Sequence, residues 1–297
     1  MHDGKKAARL SPLNSVVFAC IFQNEKKAGP AMLDFLNAVL KHVGEEPIAE
    51  ILSMKSEYSL MGESAEQKYG RLDVRVRAES GRLFDIEVQI EKDYMNERGF
   101  FYGTRMGQDD FESGMSYEKL PEVRVINLVD FFVRGDQSHI VEPVVLCYGN
   151  NPDEIATNKF KMYHIQLPAF RKAHKSLSSV QGDTFLTWLY ALDQGYRDSG
   201  EMEVLSGMTE GLRNFAMQYN YAINDPDLIR RYRMIEDGKH DLATKMSVAL
   251  AKAEAEGRAR GKNLAKLEIA RGMRAKGFSP REILELTGVS EEELSAP

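Results

Sequence analysis

Residues 70–89, GRLDVRVRAESGRLFDIEVQ, carry the side chains best suited to chemistry. Leu72, Val74, Val76 and Ala78 alternate with Asp73, Arg75 and Arg77, and Phe84, Ile86, Val88 and Ile90 alternate with Asp85, Glu87 and Gln89. A period of two is that of a β-strand, so the spacing predicts a hairpin. A three-residue loop of Glu79, Ser80 and Gly81, with Gly81 left-handed, pairs Ala78 with Arg82 and sets Asp73 opposite Glu87. A two-residue loop would set Asp73 opposite Val88 and send the carboxylates to opposite faces. In the first register Asp73, Glu87 and Gln89 share one polar face. Facing anions repel unless positive charge lies between them, and a hard divalent cation such as Mg²⁺ or Mn²⁺ takes oxygen ligands and keeps several waters.

A cation held by Asp73 and Glu87 would polarise a phosphodiester, lower the pKa of a bound water and stabilise charge on the leaving oxygen. Gln89 can orient a water or a phosphate oxygen, but a neutral amide is no general base near neutral pH, so activating the water falls to the metal. Arg75 and Arg77 share the strand parity of Asp73 and are placed to contact phosphates. The same alternation also describes the solvated face of an amphipathic hairpin, and spacing alone leaves both readings open.

The elements around the hairpin follow from periodicity. Ser15 to Phe22 and Ala31 to Val43 have apolar residues at helical spacing, separated by QNEKKAGP with Gly29 and Pro30 as a break. Tyr94 to Tyr117 reads as helix, and the apolar runs Val123 to Val133, Ile140 to Tyr148 and Met162 to Leu167 read as strands. From Thr184 the pattern is wholly helical, which predicts an α/β first part and a boundary near residue 180. Glycines 257 and 261 cost about 1 kcal/mol each against alanine and predict a bend or fraying there. The ending GFSPREILELTGVSEEEL reads as helix, turn, helix, with Ser279 and Ser290 as caps, Pro280 opening the first helix and Gly288 in the turn.

The bulk properties exclude several classes. With 43% hydrophobic and 28% charged residues over 297 positions, the chain can build a substantial core. Cys20 and Cys147 lie in apolar runs without zinc-site spacing and read as reduced core residues. No run approaches the roughly 20 apolar residues of a membrane span, and MHDGKKAARLSP lacks a signal-peptide core, which places the chain in the cytoplasm. A net charge of −6 argues against unspecific coating of nucleic acid, so any DNA contact must be local. The histidines show no i, i+4 pair, and GRARGK at 257–262 lacks the spacing of a phosphate loop.

The 70–89 string resembles the core of the PD-(D/E)XK nuclease family transposases, also called recombination-promoting nucleases, whose pattern is LDV, a hairpin, then IE-x-Q. On that resemblance Asp73 is the motif aspartate, Glu87 the acidic residue of the second strand, and Gln89 stands in the place of the usual lysine. Further matches follow in order: VVFACIF, MLDFLNAVL, Arg98 and Tyr102 in ERGFFY, Gly114 and Tyr117 in SGMSY, TWLYAL around Trp188, and the C-terminal ending. The resemblance implies a restriction-endonuclease-like α/β core, a mixed sheet flanked by helices, over residues 10–180. An all-helical region, 181–297, would follow and end in a helix-turn-helix-like segment.

It further implies a Mg²⁺-dependent endodeoxyribonuclease that promotes recombination or serves mobile elements, with Asp73, Glu87 and Gln89 catalytic. Asp73 and Glu87 would be the metal ligands, and Arg75, Arg77, Arg98 and Tyr102 would lie against DNA. Ser15 and Ala19 stand where the family's opening helix usually has an aspartate and a lysine, and Gln166 and Ala169 where an ELPK-like segment is common. With Gln89, these departures motivate an alternative: a catalytically weakened DNA-binding or toxin-like interaction protein that keeps the fold. Lys68 and Lys92 lie close enough in sequence to replace the missing lysine, though surface lysines are common. The basic series Arg258, Arg260, Lys262, Lys266, Arg271, Arg274 and Lys276 is a candidate DNA contact, and the helical region a candidate homo-oligomer interface.

Overall fold

The computed structural model describes residues 10–56, 74–89, 92, 94–109, 111–135 and 137–295. Helix α1 (Ser15–Ile21) begins where the Asn14 side chain accepts the Val16 and Val17 amides, and α2 (Glu25–His42) where Asn24 accepts that of Lys27. Each cap satisfies backbone donors that have no partner inside the helix. Gly29 and Pro30, read as a break, lie inside α2. Proline there deprives the Lys26 carbonyl of its helical donor, but Lys26 and Pro30 are exposed, so solvent can reach that carbonyl.

Among the described residues six strands form one mixed sheet in the order β1-β2-β3-β4-β6-β5. They are β1 (Ile51–Ser56), β2 (Val74–Ala78), β3 (Leu83–Gln89), β4 (Val123–Val129), β5 (Val141–Tyr148) and β6 (Asn151–Gln166). The first three pair antiparallel, β3-β4-β6 pair parallel, and β5 returns antiparallel to β6. Strand β1 is not anticipated by the sequence reading, and the predicted helix from Tyr94 ends early, as α3 (Met95–Asp109).

The β2–β3 hairpin has the three-residue loop. Val74 lies opposite Ile86, Arg75 opposite Asp85 and Val76 opposite Phe84; the Ala78 amide donates to the Arg82 carbonyl at 2.9 Å, and Gly81 has φ +81°. Asp73 itself lies outside the described residues.

Val74, Val76, Phe84, Ile86, Ile126 and Leu128 cover one face of the sheet and are all buried; α1 approaches β3 and α2 approaches β1. On the other face α3 crosses from the top of β3 to the bottom of β4, as a parallel pair requires. The edges are treated differently. On β1 the outward Met54 amide donates to the Glu25 carboxylate at 3.0 Å, whereas β5 and the outer half of β6 form an exposed ribbon with register shifts at Val145, Leu146 and Cys147. That projection leaves Cys147 exposed, against the expectation of a core residue, while Cys20 is buried; neither is in a disulfide.

One compact unit ends at Tyr232 and a second begins at Arg233, so the helices between residues 180 and 225 belong with the sheet. After α4 (Leu167–Ala173) come α5 (Thr184–Asp193), α6 (Ser199–Ser206) and α7 (Glu210–Ile223). The reason is Trp188 on α5, fully buried, edge-on to Phe35 of α2 and Phe215 of α7. Its indole N–H donates to Asp34 at 3.1 Å, and the Thr209 hydroxyl donates to the same carboxylate oxygen at 2.7 Å.

Helix α8 (Pro226–Ala275) runs unbroken through Gly257 and Gly261. Its basic residues do not form one stripe: at about 100° per residue, Arg258, Lys262 and Lys266 share a face, and Arg260, Arg271 and Arg274 fall roughly opposite. The ending folds as read, with α9 (Pro280–Thr287) opened by a Ser279–Glu282 capping box and α10 (Glu291–Ser295) by Ser290. Ala270, Ile283, Val289 and Leu294 form a small core there. No helix among the described residues is long and apolar enough to cross a membrane.

A charged node lies where the turn after α2 meets the lower ends of β4 and β6. The Arg124 guanidinium, 2% exposed, holds Glu45 at 2.7 Å and Glu122 at 2.9 Å; Lys161 reaches Glu45 at 3.0 Å, and the Tyr163 hydroxyl donates to it. Burial opposes ionisation of Glu45, but the hydrogen bonds from Tyr163 and Arg124 outweigh it and hold the carboxyl below its ordinary pKa. Glu45→Gln is therefore expected to lower stability in urea denaturation by on the order of 3 kcal/mol at neutral pH, since it takes from a buried cation the more deeply buried of its two carboxylate partners. A carboxyl whose pKa is depressed on folding stabilises above its unfolded pKa, so the difference should hold at neutral pH and shrink as pH falls through the folded value.

Candidate active site

Strand β3 sits inside the sheet, and this decides the fate of its polar residues. By alternation Asp85 and Glu87 turn to the face that α3 covers, where they are 0% and 2% exposed. They do not form the solvated side of a hairpin. Burying a carboxylate is costly unless positive charge or hydrogen bonds accompany it. For Asp85 the partner is Arg75 across the hairpin: Nε lies 3.9 Å from Oδ1, and the arginine side chain, 40% exposed, runs from the buried carboxylate to solvent.

The parallel register extends the polar face sideways. Glu87 is level with Asn127 on β4, Asn127 with His164 on β6, and His164 with Glu142 on β5. Asn127 and His164 are both fully buried. Burial pushes the His164 imidazole down to about 4, so at neutral pH it is uncharged and has one accepting and one donating nitrogen. Nδ1 accepts from the Asn127 amide at 3.1 Å, and Nε2–H donates to Asn96 Oδ1 of α3 at 2.9 Å.

Helix α3 sits close enough for that contact because glycines face the sheet. A Cβ at Gly103 would lie 2.6 Å from Phe160 Cε2 and 2.8 Å from Val125 Cγ2; one at Gly99 would lie 2.5 Å from Met162 Sδ. Arg98 and Tyr102, one turn apart, are half-buried on the flank of this seam. The helix is entered through Tyr94, at φ 37° the one non-glycine residue with positive φ among those described, a conformation uncommon for a bulky side chain.

Gln89 ends β3, level with Val129, while Arg75 and Arg77 are half-buried on β2. Lys92 is exposed, and Lys68, like Asp73, lies outside the described residues. At the positions that depart from the family pattern, Ser15 is half-buried and Ala19 fully buried, its carbonyl taking the Ser56 hydroxyl at 2.9 Å. Gln166, also fully buried, accepts the Val133 amide at 2.7 Å and donates to the His139 carbonyl at 2.8 Å, which pins the chain leaving β4. Ala169 is buried in α4.

Asn127, His164 and Asn96 escaped the sequence reading. A signal was present, since Asn127 and His164 each interrupt an otherwise apolar run, VINLV and MYHI, in strands buried on both faces. The chemistry of the face beside β3 suits a hard divalent cation: Glu87 and Asn127 present oxygens, and Glu87 is a carboxylate where positive charge is favoured. Among the described residues no three His, Cys, Asp or Glu side chains converge as a metal-binding group.

Residues 12–249 match the model of a family described as PD-(D/E)XK nuclease family transposase. No curated protein and no solved structure matches the chain.

The seating of α3 yields a stability prediction. Gly103→Ala should cost roughly 1–3 kcal/mol in urea denaturation, because its methyl meets a ring and a branched side chain. Gly99→Ala should cost less, because Met162 can rotate its thioether away. Equal stability of Gly103→Ala and the parent would show that α3 does not seat this closely.

Proposed function

The chain belongs to the PD-(D/E)XK nuclease family transposases, and from that premise we propose that it is a metal-dependent endonuclease that hydrolyses phosphodiester bonds in cytoplasmic DNA and thereby promotes recombination or the movement of mobile elements. The observation that carries this reading is the buried carboxylate of Glu87 on the interior strand β3, in a hairpin with β2. Asp73 and Glu87 would hold the cation, Mg²⁺ or Mn²⁺. Bound there, it would supply a water of lowered pKa and neutralise charge on the scissile phosphate.

The chain's own residues do the remaining work. Gln89 orients the attacking water through its amide. Arg75, which extends from Asp85 to solvent, and Arg77 beside it neutralise the flanking phosphates. Arg98 and Tyr102 extend that contact along α3. Helix α8, exposed along most of its length, is the segment to which we assign tethering of DNA or of a second copy of the chain.

One observation favours the second reading, a weakened DNA-binding protein. The opening-helix positions that carry charge in the family are here Ser15 and the wholly buried Ala19, which bring no charge to the site.

Nicking of supercoiled plasmid with and without Mg²⁺ or Mn²⁺, beside Asp73→Ala and Glu87→Ala, separates the two readings. A nuclease should nick only with metal and lose at least 100-fold in rate in both variants, on the order of what one such group contributes. Parent and variants that bind DNA alike and do not cut would leave the binding-protein reading. Arg75→Ala with Arg77→Ala should weaken DNA binding and lower its salt dependence by about one unit of log–log slope for each phosphate no longer neutralised.

A further inference from the structure

Glu87 has a neighbour whose chemistry the reading above leaves unused. Asn127 is level with it on β4, points to the same face and is fully buried. Its Nδ2 is engaged by His164 Nδ1 at 3.1 Å, and that imidazole is held by Asn96 at 2.9 Å. The amide plane that turns Nδ2 toward β6 turns Oδ1 back toward β3, where Glu87 lies. Oδ1 is buried and has no hydrogen-bond partner among the described residues. A buried amide oxygen left unmatched is destabilising, and a hard cation between the strands would match it, since amide oxygens are among its ordinary ligands.

We propose that Asn127 contributes its Oδ1 as a further oxygen ligand to the divalent cation held by Glu87, with His164 and Asn96 as positioning residues that fix the rotation of its amide. Strand pairing sets the distance from Asn127 to Glu87, and the Asn127–His164–Asn96 chain sets the direction of the oxygen. The ligand set is thereby tied to the seating of α3, because Asn96 belongs to that helix.

This inference rests on the cation site of the proposed nuclease, and its test needs no DNA cleavage. Mn²⁺ binding to the full-length protein without DNA is measured by electron paramagnetic resonance titration for the parent, Glu87→Ala, Asn127→Ala and Asn127→Asp. The expected result is saturable binding by the parent, loss in Glu87→Ala, weakening of roughly 10-fold or more in Asn127→Ala, and binding at least as tight as the parent's in Asn127→Asp. Should the alanine variant fail to fold, the aspartate variant decides alone. Parent-like binding by Asn127→Ala with loss in Glu87→Ala overturns the inference and leaves the cation site standing. Loss in Asn127→Asp as complete as in Glu87→Ala overturns it too, because the amide would then be a donor to Glu87. A parent that binds no Mn²⁺ overturns the cation site and the inference together.

Discussion

Parallel pairing of β3 with β4 is the constraint from which the rest of the architecture follows. A strand that enters from a hairpin and leaves through a helical crossover cannot keep a face in water, because the crossover helix must lie over it. The acidic residues of β3 are therefore taken into the protein with their strand, and the neighbouring strands place polar groups level with them. Glu87, Asn127, His164 and Glu142 form one row across β3, β4, β6 and β5. Within the row, direction comes from hydrogen bonds and spacing from the sheet.

The opposite face solves a related problem with full charges. Arg124 is nearly as buried as Glu87 and is surrounded by Glu45, Glu122 and a backbone carbonyl. There the charges match inside the chain, so that node reads as structural. The α3 face gathers Asp85, Glu87 and the Asn127 amide on neighbouring strands, and that concentration of oxygens is the physical ground for looking for chemistry on that side and stability on the other.

Local rules carried the sequence reading far. The hairpin register followed from one glycine, and the capped helical ending from Ser279, Glu282, Gly288 and Ser290. Hidden from it was whatever depends on partners distant along the chain. Alternation in Asp85 and Glu87 is the same whether the polar face meets water or a helix, and only the position of β3 inside the sheet decides. The break expected at Gly29 and Pro30 fails because solvent can satisfy the carbonyl that proline strands. The packing of α5 was hidden too, because Trp188 sits between helices separated from it by many residues. His164 illustrates the limit well: its role comes from Asn127 and Asn96, neither of which is near it in sequence.

The two edges of the sheet close it to further growth by unlike means. At β1 a carboxylate from α2 occupies the amide of Met54, so an incoming strand would find that donor taken. At β5 the ladder is broken by successive shifts, and the ribbon beyond it bears Asp153, Glu154 and Lys159. Bulges and charge of this kind make an edge a poor template for another chain. A sheet with exposed margins would otherwise carry a standing risk of edge-to-edge polymerisation, and what opposes it lies in Glu25 and the irregular ribbon rather than in the core.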